Sequence, residues 1–218
     1  MPAVAPQIAL VDYGAGNLRS VAKALERSGL AVDVTSDPAA LRRSDGVVLP
    51  GVGAFADARA SLAAKGLDAA VLEAIDRGRP YLGLCLGLQL LFDEADEHGT
   101  TPGLARLRGR VERFADRAAD GSRLLVPHIG WNEVRWLRDA GHPMLAALPE
   151  RDHYYFVHSY RAVPADRDIV VGRTDYGGDF AAAAAKEGIF AVQFHPEKSQ
   201  AAGKRLLDAY AQWVSSCR

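Results

Sequence analysis

A chain of 218 residues, 49% hydrophobic and 24% charged, has the balance of a globular protein and the length to bury one full core, which excludes a disordered or fibrous chain. Lysine plus arginine (26) nearly cancels aspartate plus glutamate (27). The charge balance therefore favours neither nucleic acid nor an anionic membrane surface, and leaves small molecules or other proteins as partners.

Residues 8–11 read as a first strand. After the turn Asp12-Tyr13-Gly14-Ala15-Gly16, the apolar positions Leu18, Val21, Ala22 and Leu25 recur at helical spacing, and Gly29 ends that helix. Residues 32–35 and 46–49 supply two more strands, separated by the Asp37-Pro38 turn and a short helical piece. Pro50-Gly51-Val52-Gly53 then breaks the chain. Residues 55–77 read as one or two helices interrupted near Gly66, and the strand 81–84 runs directly into Cys85, with a helix beginning at about Leu86. This alternation predicts an α/β fold with a mostly parallel central sheet flanked by helices. Beyond Gly109 the runs 111–114, 123–126, 154–157, 169–172, 181–185 and 189–194 predict an antiparallel extension in the second half. A closing helix over 199–214 places Ala202, Leu206, Leu207, Tyr210 and Val214 on one face. No repeat or linker divides the chain, so one domain is expected over 1–218, with its core at about 8–214.

Two cysteines, Cys85 and Cys217, are too few for a disulfide framework. Residues 1–6 lack the pattern of a secretory leader, and no segment approaches the roughly twenty apolar residues of a membrane span. A cytoplasmic location is expected.

The chemistry concentrates in Tyr81-Leu82-Gly83-Leu84-Cys85-Leu86-Gly87-Leu88-Gln89. A glycine two residues to either side of a cysteine, between strand and helix, is the nucleophile-elbow pattern with cysteine in place of serine. The turn is so sharp that side chains two positions away would collide, and a thiol at a helix N-terminus is biased toward thiolate. Without the glycines, a buried structural cysteine would be the better reading. Of six histidines, His195 is the best placed base, and in an extended segment Glu197 lies on its side of the chain, able to fix its tautomer. Cys85, His195 and Glu197 thus form a candidate triad. The N–H groups of Gly51, Val52 and Gly53 can serve a developing oxyanion or merely a tight turn, and the residues alone leave the two balanced. Gly14-Ala15-Gly16-Asn17 begins like a dinucleotide fingerprint, but the third glycine position is Arg19 and no lysine-serine pair follows, so no nucleotide cofactor is expected. His153 and His158 have no matching ligand cluster, so no metal is expected either.

Gly83-Leu84-Cys85-Leu86-Gly87-Leu88-Gln89 with Phe194-His195-Pro196-Glu197 resembles the class I (triad) glutamine amidotransferase domain. Within that class, Asp12 to Leu18, Pro50 to Gly53, Pro127-His128-Ile129-Gly130-Trp131-Asn132 and Tyr155-Phe156-Val157-His158-Ser159-Tyr160 resemble the glutaminase subunits of imidazole glycerol phosphate synthases. The resemblance implies hydrolysis of glutamine to glutamate and ammonia, used by a separate (β/α)8 cyclase subunit in histidine biosynthesis. It further implies that Gln89, Glu97 and the Ser159-Tyr160 backbone hold glutamine, that Gly51 to Gly53 supply the oxyanion hole, and that Asn17, His128, Gly130, Trp131 and Asn132 face the cyclase. A tryptophan in a loop more often marks an interface than a core. Two alternatives are another glutamine-dependent synthase of the class, such as the pyridoxal phosphate or anthranilate systems, and a regulatory module that binds without turnover. The Gly-Ala-Gly-Asn and Pro-Gly-Val-Gly segments argue against the first, and the intact Cys85, His195 and Glu197 against the second.

Overall fold

The computed structural model describes residues 5–118 and 120–218; the first four of the residues in which a leader was sought lie outside them. The chain opens with β1 (Gln7–Val11), whose Ile8 to Val11 are buried, and α1 (Leu18–Glu26), whose N-cap Asn17 accepts a hydrogen bond from the Ser20 N–H. β2 (Ala31–Thr35) leads to α2 (Pro38–Arg43), which starts where sequence chemistry says it should, with Asp37 as side-chain cap and proline at the first position. β3 (Gly46–Leu49) is buried throughout. The helical stretch that follows is two helices, α3 (Phe55–Ala64) and α4 (Leu67–Asp76), divided at Gly66, whose φ of 65° is the left-handed conformation glycine adopts without strain. β4 (Tyr81–Leu84) then delivers the chain to the short α5 (Leu86–Gln89).

The second half is richer in strands than the sequence reading expected. It comprises β5 (Phe92–Ala95), β6 (Thr101–Pro102), β7 (Leu107–Arg113), β8 (His128–Trp136), α6 (Pro143–Ala146), β9 (Arg151–His158), β10 (Tyr160–Pro164), β11 (Val170–Asp175), β12 (Asp179–Lys186), β13 (Ile189–Val192) and α7 (Gln200–Ser216). Residues 123–126 form no strand; only Arg123 makes an isolated bridge, to Arg117. Nine strands form one sheet in the order β2-β1-β3-β4-β13-β12-β11-β8-β9, and β10-β7-β5-β6 form a second. β2, β1, β3, β4 and β13 run parallel, and the antiparallel pairs begin between β13 and β12. The run around 189–194 therefore closes the parallel half rather than belonging wholly to the antiparallel extension.

This topology positions the site. Val47 and Val48 of β3 pair with Tyr81 and Leu82 of β4, and Leu84 pairs with Val192 of β13, so three neighbouring parallel strands end at one edge. Their exits are residues 50–53, Cys85 and the segment 193–197. Ligands of open α/β sheets bind outside the carboxyl ends of the strands, and this edge gathers every residue singled out for catalysis. Apolar clusters on the two sides of the sheet, one around Phe190, Leu206 and Tyr210 and the other around Leu49, Leu62 and Val71, make it a stiff platform.

Candidate active site

Cys85 sits between β4 and α5 at φ 53° and ψ −102°, a backbone conformation that L-residues rarely hold. Its N–H is anchored to the Val192 carbonyl at 2.8 Å. The flanking glycines are required by contact. A β-carbon at Gly83 would stand 2.6 Å from the Gly87 carbonyl oxygen, and one at Gly87 would overlap the Leu49 carbonyl oxygen at the end of β3. The elbow can close only when both positions lack a side chain, and closing it lifts the sulfur into a cavity of about 410 Å³.

That cavity is lined by Val52, Gly53, Cys85, Leu86, Gln89, Glu97, Val157, His158, Ser159, Tyr160, His195 and Lys198. The sequence-selected Cys85, His195, Gln89, Glu97, Ser159 and Tyr160 are thus brought together from β4–α5, the segment after β5, the β9–β10 junction and the chain after β13. His195 Nδ1 lies 2.9 Å from Glu197 Oε1, with the two side chains 5% and 3% exposed. The imidazole Nε2 is buried and makes no hydrogen bond among the described residues. Burial, the largest single influence on this ring, pulls its pKa down. The hydrogen bond to Glu197 and the nearby Cys85 and Glu197 charges together outweigh it and raise the imidazole above its ordinary 6.5. The ring is thereby biased to carry a proton beside the sulfur. Ser199 Oγ, donating to the His195 carbonyl at 2.6 Å and accepting from the Tyr155 N–H at 3.0 Å, pins the backbone that carries the histidine.

Two further polar groups escaped the sequence reading. Gln193, fully buried, donates from Nε2 to Cys85 Sγ at 3.6 Å and accepts from Gln89 Nε2 at 3.1 Å. A glutamine in the apolar run 189–194, two residues before His195, was the available signal. Lys198 lines the cavity, with its ammonium 5.8 Å from the centre of the Tyr155 ring. Gln89 also donates to the Tyr160 carbonyl at 2.9 Å, and Glu97 accepts the Phe55 N–H at 2.6 Å, so it caps α3 while lining the cavity. Gly51 is wedged against Leu86 and the Tyr13 hydroxyl, Gly53 has φ +92°, and Val52 is 43% exposed. None of the three takes part in a backbone–backbone hydrogen bond among the described residues.

Of the residues expected to face a partner, Trp131 is 48% exposed and lies in β8, not in a loop as the sequence reading had it. Ile129 on the same side of the strand is 59% exposed. Gly130 and Asn132 are half-buried, and Asn17 is exposed while its side chain caps α1. His128 departs from that expectation: it is 3% exposed, because the alternation of β8 turns it inward, where it stacks on Tyr176 and Phe156.

An elbow cysteine, a histidine held by a glutamate and a small polar cavity at the carboxyl edge of a parallel sheet are the parts of an amide-hydrolysing thiol enzyme. The chain belongs to the glutamine amidotransferase class-I family, whose model matches residues 9–210. Over nearly its whole length it is similar to proteins named imidazole glycerol phosphate synthase subunit HisH. That of Moorella thermoacetica is 47% identical, covering 95% of both chains, and that of Methylococcus capsulatus is 49% identical, covering 94% of this chain and 96% of the relative. Solved structures share the fold at lower identity. The structure of PurLQS from Thermotoga maritima matches with a TM-score of 0.73 at 20% identity over 97% of this chain and 100% of that one. The glutaminase domain of Trypanosoma brucei CTPS with bound acivicin matches with a TM-score of 0.69, also at 20% identity, over 97% and 94%.

Proposed function

We propose that the chain hydrolyses glutamine to glutamate and ammonia, and passes the ammonia to a (β/α)8 cyclase subunit that forms imidazole glycerol phosphate in histidine biosynthesis. The observation that carries this reading is the meeting of Cys85 and a Glu197-held His195 in one cavity that also presents Gln89 and Glu97. The Cys85 thiolate attacks the side-chain carbonyl carbon of glutamine, and the oxyanion that forms is met by N–H groups of Gly51 to Gly53. His195 Nε2 gives its proton to the leaving nitrogen, the C–N bond breaks, and ammonia departs from a thioester. Water then attacks the thioester carbonyl, its proton goes to His195, and the C–S bond breaks to return the thiolate and release glutamate. The raised pKa of His195 suits the first half, which needs an acid beside a thiolate. In this reading Gln89, Glu97 and the Ser159-Tyr160 backbone hold the glutamine.

Docking of the cyclase on the β8 face is supported by an exposed apolar pair, Ile129 and Trp131, the latter edge-on to Tyr155. The neighbouring Val157, opposite Ile129 in the sheet, lines the cavity, so a partner seated there would lie beside the site of ammonia release. Unpaired Cys85 and Cys217 support a reducing compartment, the cytoplasm. The test is Cys85→Ala in the purified complex. Glutamate release is lost while cyclase binding persists; retained release would overturn the nucleophile assignment. Trapping of Cys85 by 6-diazo-5-oxonorleucine, read as a mass shift on its peptide, separates turnover from mere binding.

A further inference from the structure

Two buried histidines that the hydrolytic scheme leaves unused join the β8 face to the nucleophile. His128 and His158, 3% and 7% exposed, sit opposite one another on β8 and β9 with His128 Nδ1 3.0 Å from His158 Nε2. At one end, His158 Nδ1 is 2.8 Å from the Tyr160 carbonyl. At the other, Asn132 Nδ2 is 3.3 Å from His128 Nε2 and donates to the Asp175 carbonyl at 2.8 Å.

The protons in this chain are determined by its ends. A carbonyl only accepts, so His158 Nδ1 carries a hydrogen, and a neutral ring then presents a bare Nε2. His128 must therefore donate from Nδ1, which leaves its own Nε2 bare to accept from Asn132. The Asn132 amide satisfies this with no conflict, since its NH2 group has two acceptors and its Oδ1 takes the Glu133 N–H at 2.9 Å. Both rings are neutral for the same physical reason: burial lowers His128 to about 4 and His158 to about 3. The groups against them are Phe114, Phe156, Phe180 and Tyr176, and the charge of His195 also acts on His158. Protonating either ring would set N–H against N–H.

The chain does not stop at Tyr160. Its carbonyl also accepts from Gln89 Nε2, whose second hydrogen goes to Gln193 Oε1, and Gln193 in turn donates to Cys85 Sγ. Every amide along this path is oriented by its neighbour, and Gln89 Oε1 is left without a partner among the described residues while Gln89 lines the cavity.

We propose that His128 and His158 are positioning residues: with Asn132 they form a relay of fixed tautomers that holds the Tyr160 carbonyl, and through it Gln89 and Gln193, in register with glutamine and the Cys85 sulfur. This rests on the cavity being the glutamine site. The relay also gives Asn132, next in sequence to the exposed Trp131, a hydrogen-bonded connection to the nucleophile.

The tautomers are read directly by nitrogen-15 NMR of the full chain labelled at histidine. Both rings are expected neutral with the hydrogen on Nδ1 at pH 7; a charged ring, or the hydrogen on Nε2 of either, overturns the relay. Function is read in the complex with cyclase. His158→Leu, which removes the donor to Tyr160, is expected to raise KM for glutamine about tenfold with a smaller change in kcat, and His158→Asn, which keeps a donor near the Nδ1 position, recovers most of it. Equal KM values in both variants and the parent overturn the proposal. Where His158→Leu does not fold, the tautomers of the parent chain decide the matter. Failure of 6-diazo-5-oxonorleucine to label Cys85 in the parent would instead sink the glutamine reading, while labelling there together with an unchanged KM in His158→Leu sinks only the relay.

Discussion

Glu197→Gln removes one negative charge and changes almost nothing else. The replacement keeps an oxygen able to accept from His195 Nδ1 at the 2.9 Å now seen, in a site where the carboxylate side chain is 3% exposed. Opposite unit charges at that separation interact by about 6 kcal/mol at an effective dielectric of about 20, and pairs of this kind commonly move a pKa by about 1–3 units. The sign follows from the group. Glu197 raises the His195 pKa, and burial opposes it, so deleting the charge lets burial pull the imidazole down. Imidazolium is then lost at a lower pH as pH rises, and the step that protonates ammonia loses its acid earlier. In the complex, the alkaline limb of kcat for glutamate release should move down from about 10 by about 1–3 pH units, with a rate at pH 10 lower by about fivefold or more. Cys85→Ala abolishes release at every pH, so the two variants differ in the shape of the profile. An alkaline limb that stays in place in Glu197→Gln, with the rate at pH 10 unchanged, would refute the electrostatic coupling and leave Glu197 as a structural neighbour of His195.

Gly87→Ala drives a β-carbon onto the Leu49 carbonyl oxygen, and the expected result is a loss of about 1–3 kcal/mol of stability with a larger fractional loss of Cys85 alkylation. Urea midpoints and labelling rates, measured side by side, check it. Trp131→Ala removes a half-exposed ring, so association with the cyclase should weaken by more than about 1 kcal/mol while the thermal midpoint holds; titration calorimetry and a melting curve distinguish this from loss of a core residue.

The parallel half was legible because each β-α unit carries its own punctuation. Asp37-Pro38 caps a helix, Gly66 divides two others, and the apolar runs at 8–11, 46–49 and 81–84 are long enough to fill buried strands. The meeting of Cys85, His195 and Glu197 was legible for a similar reason, since Gly83 and Gly87 record a steric demand in residue type and Glu197 lies two residues from His195. The antiparallel half hid its strands where inward positions are polar. β8 places His128 and Asn132 inside and Ile129 and Trp131 outside, which inverts the usual alternation and makes the strand read as a loop. β10 follows β9 after only Ser159, so no turn signal separates them. The relay was invisible altogether, because its members lie far apart in the chain and meet only through the register of β8 with β9 and the return of β10. Gln193 is the same case in miniature, a polar residue whose purpose appears only when β13 is laid beside β4.

The segment 50–53 carries the last prediction, that the isolated chain is a poor glutaminase which its partner switches on. Among the described residues, Gly51, Val52 and Gly53 make no backbone–backbone hydrogen bond, although residues 46–49 just before them are locked in the sheet. The Tyr13 hydroxyl beside the Val52 amide is not a strong anchor, since it makes no hydrogen bond among the described residues. Two glycines flanking an exposed valine make rotation of the intervening peptides inexpensive, and the prediction is that such a rotation decides whether an N–H or a carbonyl faces Cys85. One absent oxyanion donor costs about 3–4 kcal/mol, a factor of roughly 10² to 10³ in rate. A ligand that biases the cyclase, and through it this segment, would act by shifting that population. Glutamate release should therefore rise in order from the isolated chain, to the chain with cyclase, to the complex with the cyclase's nucleotide substrate bound. Equal rates in all three would leave Gly51 and Gly53 as glycines of a tight turn and the site as one that is always assembled.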